Sequence, residues 1–223
     1  MNFDIQYMLQ VFPTLIKYIP LTLGLAVVSM IFAIFIGLIM ALITKYKVPV
    51  LYQLTAVILS FFRAIPMLAL LFLIYFGLPQ IIPSLSILNA VTAAIIGLSM
   101  KNAAYLAEIF RAAINSVDEG QLEACHSIGM TKFQAMVRIV LPQAVRNAVP
   151  ATGNIFIGLV KETSLAFTLG VAEIFAQGKM MASASLNYFE TYLAVALIYW
   201  MLTIIYTFLQ GMLERRLNKP YEV

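Results

Sequence analysis

Five stretches of apolar side chains, separated by short polar runs, organise this sequence. No charge occurs between Lys17 and Lys45, and residues 20–43 predict a first long helix. A second runs over residues 51–76, interrupted by Arg63 and Pro66, and gives way to a Pro-rich turn at Leu78-Pro79 and Pro83-Ser84. A third covers residues 88–112, apolar as far as Lys101 and increasingly polar beyond it. Residues 148–171 form a fourth with Lys161 and Glu162 embedded, and residues 191–213 a fifth. That last run holds 23 uncharged residues, about 35 Å of helix at 1.5 Å per residue. Because about 20 apolar residues cross the hydrocarbon core, the pattern predicts an all-α integral membrane protein of about five transmembrane helices. In the first helix Ser29, Ala33, Gly37 and Ala41 recur every four residues, a small-residue stripe where another helix can approach closely.

The polar run over residues 115–146 has a helical pattern too short to span a bilayer. Ser116-x-x-Glu119, Asp118-x-x-Gln121 and Thr131-x-x-Gln134 all have capping-box spacing, in which two side chains satisfy the first amides of a helix. Gly129 suits the left-handed position that ends a helix. The expectation is a helical hairpin over about residues 116–143, joined at Gly129 and ending near Leu141-Pro142. Its apolar residues are Leu122, Cys125 and Ile128 on one helix and Phe133, Met136, Val137 and Val140 on the other. They either pack on the protein's own spans or dock in a groove of a partner. Residues 177–187, small and polar, read as an outer loop carrying Met180, Met181, Ser183 and Ser185. Residues 1–19, with Phe3, Tyr7, Phe12 and Tyr18 among polar groups, read as a segment at the outer interface, and residues 214–223 as a tail.

Composition agrees: 62% of residues are hydrophobic and 11% charged, against roughly 25% charged in soluble domains. The net charge of +4 is explained by its placement. With the N-terminus outside, nine Lys and Arg fall in inner segments and two, Lys17 and Lys179, outside; this asymmetry sets orientation. It places the hairpin and the tail in the cytoplasm and makes nucleic-acid binding unnecessary. The single cysteine, Cys125, excludes an intrachain disulfide and a Cys-rich metal site. His126 beside it is the only histidine, and helical neighbours point about 100° apart, so the pair is a poor catalytic dyad. No Gly-x-x-x-x-Gly-Lys-Ser/Thr sequence is present to cradle ATP. The chain is expected not to be an enzyme, with no metal and no cofactor of its own.

Ionisable groups at membrane depth are usually functional or paired. Arg63 lies about 18 Å into the second span by helix rise. Pro66 disturbs that helix and frees the carbonyl of Phe62. Arg63 can hold an amino acid's carboxylate in two-pronged fashion, or tie helices together through Glu162 or Glu108. Lys161, Glu162, Thr163 and Ser164 offer both charges and two hydroxyls, which suits a zwitterionic solute, with a structural network as the alternative. Asn154 is a weaker candidate. Lys101, Asn102 and Tyr105 read as inter-helix or gate groups.

The hairpin resembles the coupling motif of ABC importer permeases. Glu123-Ala124-Cys125 is followed after three residues by Gly129, then after nine by Ile139, and then by Val140 and Leu141-Pro142. The departure is Cys125 where the family has Ala, a small residue readily buried. Nearly the whole chain is similar to the polar amino acid branch (histidine, glutamine, arginine and cystine type). Phe62-Arg63-Ala64-Ile65-Pro66, Tyr75-Phe76-Gly77-Leu78-Pro79, Ala104-Tyr105-x-x-Glu108-Ile109-x-Arg111 and Lys161-Glu162-Thr163-Ser164-Leu165 carry that likeness. Ala64-Ile65 stands where the branch has Gly-Thr, and Glu162 where many relatives have Asp. The resemblance implies a type I permease domain over residues 20–213 in the plasma membrane of a prokaryote, N-terminus outside. It implies a dimer of cytoplasmic ATPases that binds ATP and Mg, an extracellular solute-binding protein, and a second permease subunit, identical or related. Glu123, Ala124, Cys125, Gly129, Phe133, Ile139, Leu141 and Pro142 would couple to the ATPase. Arg63, Pro66, Lys161, Glu162, Thr163 and Ser164 would contact the solute. The run from Lys161 to Ile174 looks most like members handling cystine and related sulfur amino acids. The alternative function is a self-contained secondary transporter or channel for small polar solutes, which would leave the hairpin without a partner. An intramembrane enzyme would need clustered nucleophile, base or metal ligands.

Overall fold

The computed structural model describes residues 3–219, all helices and connections with no strand among the described residues. Residues 1–2 and 220–223, the ends of the expected interfacial segment and tail, lie outside the described residues. Asp4 caps α1 (Ile5–Ile16) by accepting from the Tyr7 amide. This helix buries Val11 and Leu15 fully against Ala194, Val195 and Ile198 of the last helix, so the N-terminal segment is packed on the bundle along one face.

α2 (Ile19–Lys45) is the first span and α6 (Ala90–Asn115) the third, and their contact is the central one of the fold. The small-residue stripe makes it: Ser29, Ala33, Gly37 and Ala41 are all buried. A Cβ added at Gly37 would stand 2.9 Å from the Ala103 oxygen and 3.0 Å from Leu106 Cβ. Only a residue without a side chain lets the two backbones come that close.

The second apolar stretch is not one straight span. α3 (Leu51–Ala64) stops before Pro66, and Met67–Ile81 departs from it at 112°. Ile65, the residue before the proline, is extended at φ −74°, ψ 133°, because the ring excludes the helical conformation there. The continuation comprises α4 (Met67–Phe72), a π-helical turn Leu73–Gly77, and α5 (Leu78–Ile81).

After α6 comes the hairpin: α7 (Glu119–Ser127), then α8 (Lys132–Ala135). The expected stop at Leu141-Pro142 is absent. A π-helical turn Met136–Val140 joins α8 to α9 (Leu141–Glu162) without a break. The Leu141 amide reaches back five residues to the Met136 oxygen. This wider turn admits the Pro142 ring, which has no N–H to donate. The same device precedes Leu78-Pro79, where Leu78 donates to Leu73. The helix that carries the fourth span therefore begins before Ala148, near Leu141, and it ends in a 3-10 segment, Thr163–Leu169, closed by Gly170 at φ +91°.

The expected outer loop over residues 177–187 is largely a helix. α10 (Ile174–Ser185) bends away from Lys132–Leu169 at 55°. Its Ala, Met, Gln and Lys residues are strong helix formers, and their small or polar character resembles a loop only in composition. α11 (Tyr188–Asn218) is the final span. Among the described residues, three helices are long and apolar enough to cross a membrane unbroken, and counting each of the two bent pairs as one span gives up to five.

Candidate functional site

Two polar constructions stand out against the apolar bundle. The first is the hairpin. The Asp118 side chain caps α7 through the Gly120 amide at 2.8 Å, while Ser116 turns back to the Ala113 oxygen. At the tip, Gly129 adopts φ +80°. Its amide donates to His126 and that of Met130 to Cys125, the paired bonds that close a helix through a left-handed residue. Thr131 and Gln134 then form the expected capping box, with bonds of 2.9 and 3.2 Å.

The apolar residues of the hairpin divide between the two readings. Cys125, Ala135 and Val140 are buried, and Val140, Leu122 and Met136 pack with Ala113, Ile114 and Val117 near the end of α6. Ile128 and Phe133 face outward at 78% and 76% exposure. Glu123, Ala124, Leu141 and Pro142 are exposed, and Ile139 is half-buried. His126 is exposed while Cys125 is buried, and the ring of His126 lies within hydrogen-bond reach of the Met130 oxygen.

The second construction is a polar stripe on α6. Lys101, Tyr105, Glu108, Arg111 and Asn115 recur at three- and four-residue intervals, so they share one face. Glu108 binds Arg111 at 2.6 Å and Arg63 of α3 at 3.6 Å. Arg63 is thus tied to α6 through Glu108, not Glu162. The Tyr105 hydroxyl donates to the main-chain oxygen of Arg63 at 3.3 Å. The carbonyl capped at the helix break is that of Arg63, next to the Phe62 carbonyl to which Pro66 has no amide to donate.

Glu162, at the end of α9, meets Lys101 at 3.9 Å and accepts from the Asn102 amide at 3.2 Å. Lys161 points elsewhere, is exposed, and has no ion pair among the described residues. The Thr163 hydroxyl donates to Val160 and is fully buried, and that of Ser164 donates to Lys161. Pro66 is exposed at the break and Asn154 is exposed on α9.

Glu173 was missed by the sequence reading. It is fully buried and caps α10 through the Phe175 and Ala176 amides at 2.9 and 2.7 Å. It also accepts from the Tyr199 hydroxyl of α11 at 2.8 Å. The signal available was an acid set among Val171, Ala172 and Ile174, in a run assigned to a span end.

A family model described as a binding-protein-dependent transport system inner membrane component matches residues 33–219. A probable amino-acid permease protein of Bacillus subtilis is 68% identical over 98% of this chain and 97% of its own. An L-cystine transport system permease protein of the same organism is 37% identical over 97% of this chain and 92% of its own. Among solved structures, the crystal structure of an amino acid ABC transporter with histidines aligns with a TM-score of 0.88 at 34% identity. That alignment covers 97% of this chain and 100% of the other.

Proposed function

Because the chain belongs to the family of binding-protein-dependent transport system inner membrane components, we propose that it is a permease subunit of an amino-acid importer driven by separate cytoplasmic ATPases. Those ATPases bind ATP and Mg, a solute-binding protein delivers the amino acid from outside, and a second permease subunit completes the path. The basic surplus in the inner segments supports an outer N-terminus and a cytoplasmic tail in a prokaryotic plasma membrane, with the permease domain over residues 20–213.

The observation that carries this reading is the hairpin tip. Ile128 and Phe133 are exposed on a pair of capped helices that bury Cys125, Ala135 and Val140 and pack Leu122 and Met136 against the end of α6, the form of a knob for a groove in a partner. Glu123 and Ala124 flank the tip, and Gly129 shapes it. Because Pro142 does not interrupt the helix, Lys132–Leu169 acts as one lever. From Phe133 to Glu162 it is about 44 Å long at 1.5 Å per residue. Closure of the ATPases, pushing on Phe133, displaces the far end where Glu162 meets Lys101 and Asn102. The spans then switch between inward-open and outward-open arrangements.

In the path, Lys161 and Arg63 are the cations for the solute's carboxylate and Glu162 the acid for its ammonium. Pro66 opens the break that lets Arg63 be reached. Ser164, its hydroxyl hydrogen committed to α9, presents an acceptor oxygen, and Thr163, fully buried, positions its neighbours. Cystine or a related sulfur amino acid is the proposed solute, supported by the run from Lys161 to Ile174 and by the relative named for L-cystine transport.

The test uses the permease reconstituted with its ATPases and binding protein. Phe133→Asp and Glu123→Arg should insert and assemble normally, hydrolyse ATP, and fail to move solute. Wild-type transport in both would overturn the coupling role.

A further inference from the structure

Beside the proposed transport path, and sharing Arg63 with it, a cavity of about 510 Å³ opens where the C-terminal end of α2, the face of α3 and the lower part of α6 meet. Lys45, Lys47, Arg63 and Arg111 line it with a single acid, Glu108. Glu108 is already shared by Arg63 and Arg111. Lys45 donates to the Asn115 side-chain oxygen, and the Lys47 ammonium has no ion pair or hydrogen bond among the described residues, its main-chain amide alone donating, to Thr44. The cleft therefore carries an excess of three positive charges beside the apolar wall of Tyr52, Ala56 and Leu59.

The connection that presents Lys47 is held in an unusual shape. Lys47 has φ +48° and Val50 φ +65°, left-handed values costly for residues with side chains. Such conformations persist where surrounding structure over-determines them, and they gather at functional sites. The cleft also opens at the end of the uncharged run of α2, where Lys45 closes that run, and basic pockets between spans on the cytoplasmic side receive anionic headgroups.

We propose that this cleft binds a phosphate-bearing anion, the headgroup of an anionic phospholipid. Lys45 and Lys47 grip the phosphate oxygens, while the Tyr52–Leu59 wall takes the glycerol and first methylenes. Membrane composition would then bear on the α2–α3–α6 junction that holds Arg63.

The test is native mass spectrometry of the full chain in detergent, titrated with phosphatidylglycerol and with phosphatidylcholine. Phosphatidylglycerol should be retained at least about fivefold more tightly, and Lys47→Gln or Lys45→Gln should each weaken it by about fivefold, the effect of one basic residue near an anionic surface. Arg215→Gln, in the last turn of α11 and outside the lining of the cleft, should change nothing. Equal retention of the two lipids, an equal loss in Arg215→Gln, or displacement by free amino acid would overturn the proposal. Displacement by glycerol phosphate would keep the anion site and assign it to a soluble phosphate. The measurement in detergent is independent of which side the cleft faces, so its failure leaves the transport reading standing.

Discussion

Tyr105 donates its hydroxyl hydrogen to the main-chain oxygen of Arg63, 3.3 Å away, across the gap where α3 stops before Pro66. The bond fastens the broken second span to the polar face of α6 and fixes where the Arg63 side chain starts. Glu108 holds the guanidinium from the same face.

Arg63→Ala is expected to leave the fold intact, because Glu108 keeps Arg111 as a partner. Solute uptake by the assembled importer should fall by a factor of roughly 10 or more, the loss of one charged hydrogen-bonding contact worth about 1.5–3 kcal/mol. Tyr105→Phe should instead lower stability by about 0.5–1.5 kcal/mol, with a smaller effect on uptake. Radiolabelled uptake and thermal unfolding of the purified chain separate the two, and unchanged uptake in Arg63→Ala would assign that arginine to scaffolding.

Glu173→Ala removes the acceptor for two amides and the Tyr199 hydroxyl in a fully buried site. Stability should fall by about 1–3 kcal/mol for each donor left unsatisfied, more than in Tyr199→Phe, which removes only one bond. Thermal unfolding of both single variants and the double variant measures their coupling. Equal losses in the two single variants would show that the α10 cap contributes nothing.

Gly129→Val forces a β-branched residue into the left-handed region, at a cost of roughly 1–2 kcal/mol. No atom lies within 4 Å of an added Cβ, so the penalty is that of the backbone alone. Gly129→Asn, which tolerates that conformation, should retain most transport while Gly129→Val loses coupling. Equal transport loss in both would instead indicate that side-chain volume at the tip obstructs docking.

Gly37→Leu drives a side chain into the backbone of α6 at Ala103. Overpacking of this kind costs about 1–3 kcal/mol and should reduce the yield of folded chain. Gly24→Leu, where an added Cβ meets nothing, is the control on the same helix.

The sequence by itself determined the membrane, the five apolar stretches, the small-residue face of α2, and the hairpin with its caps at Asp118 and Thr131, though not the boxes at Ser116 and Asp118. These are local or periodic properties: apolar length, spacing of four, and a side chain bonding an amide three residues away. The family was legible for the same reason, since the hairpin motif is a set of short spacings.

Tertiary structure decided the rest. A proline in sequence shows only that one amide is missing. Pro66 turns the chain by 112°, while Pro142 passes through a π-helical turn into a continuous lever. Which outcome holds depends on what packs around the freed carbonyls. Likewise Arg63 had two candidate acids, and the choice of Glu108 over Glu162 required the placement of α3 against α6. Glu173 drew no role from the sequence because its partner Tyr199 lies 26 residues away, and only the folded bundle brings that hydroxyl to its carboxylate.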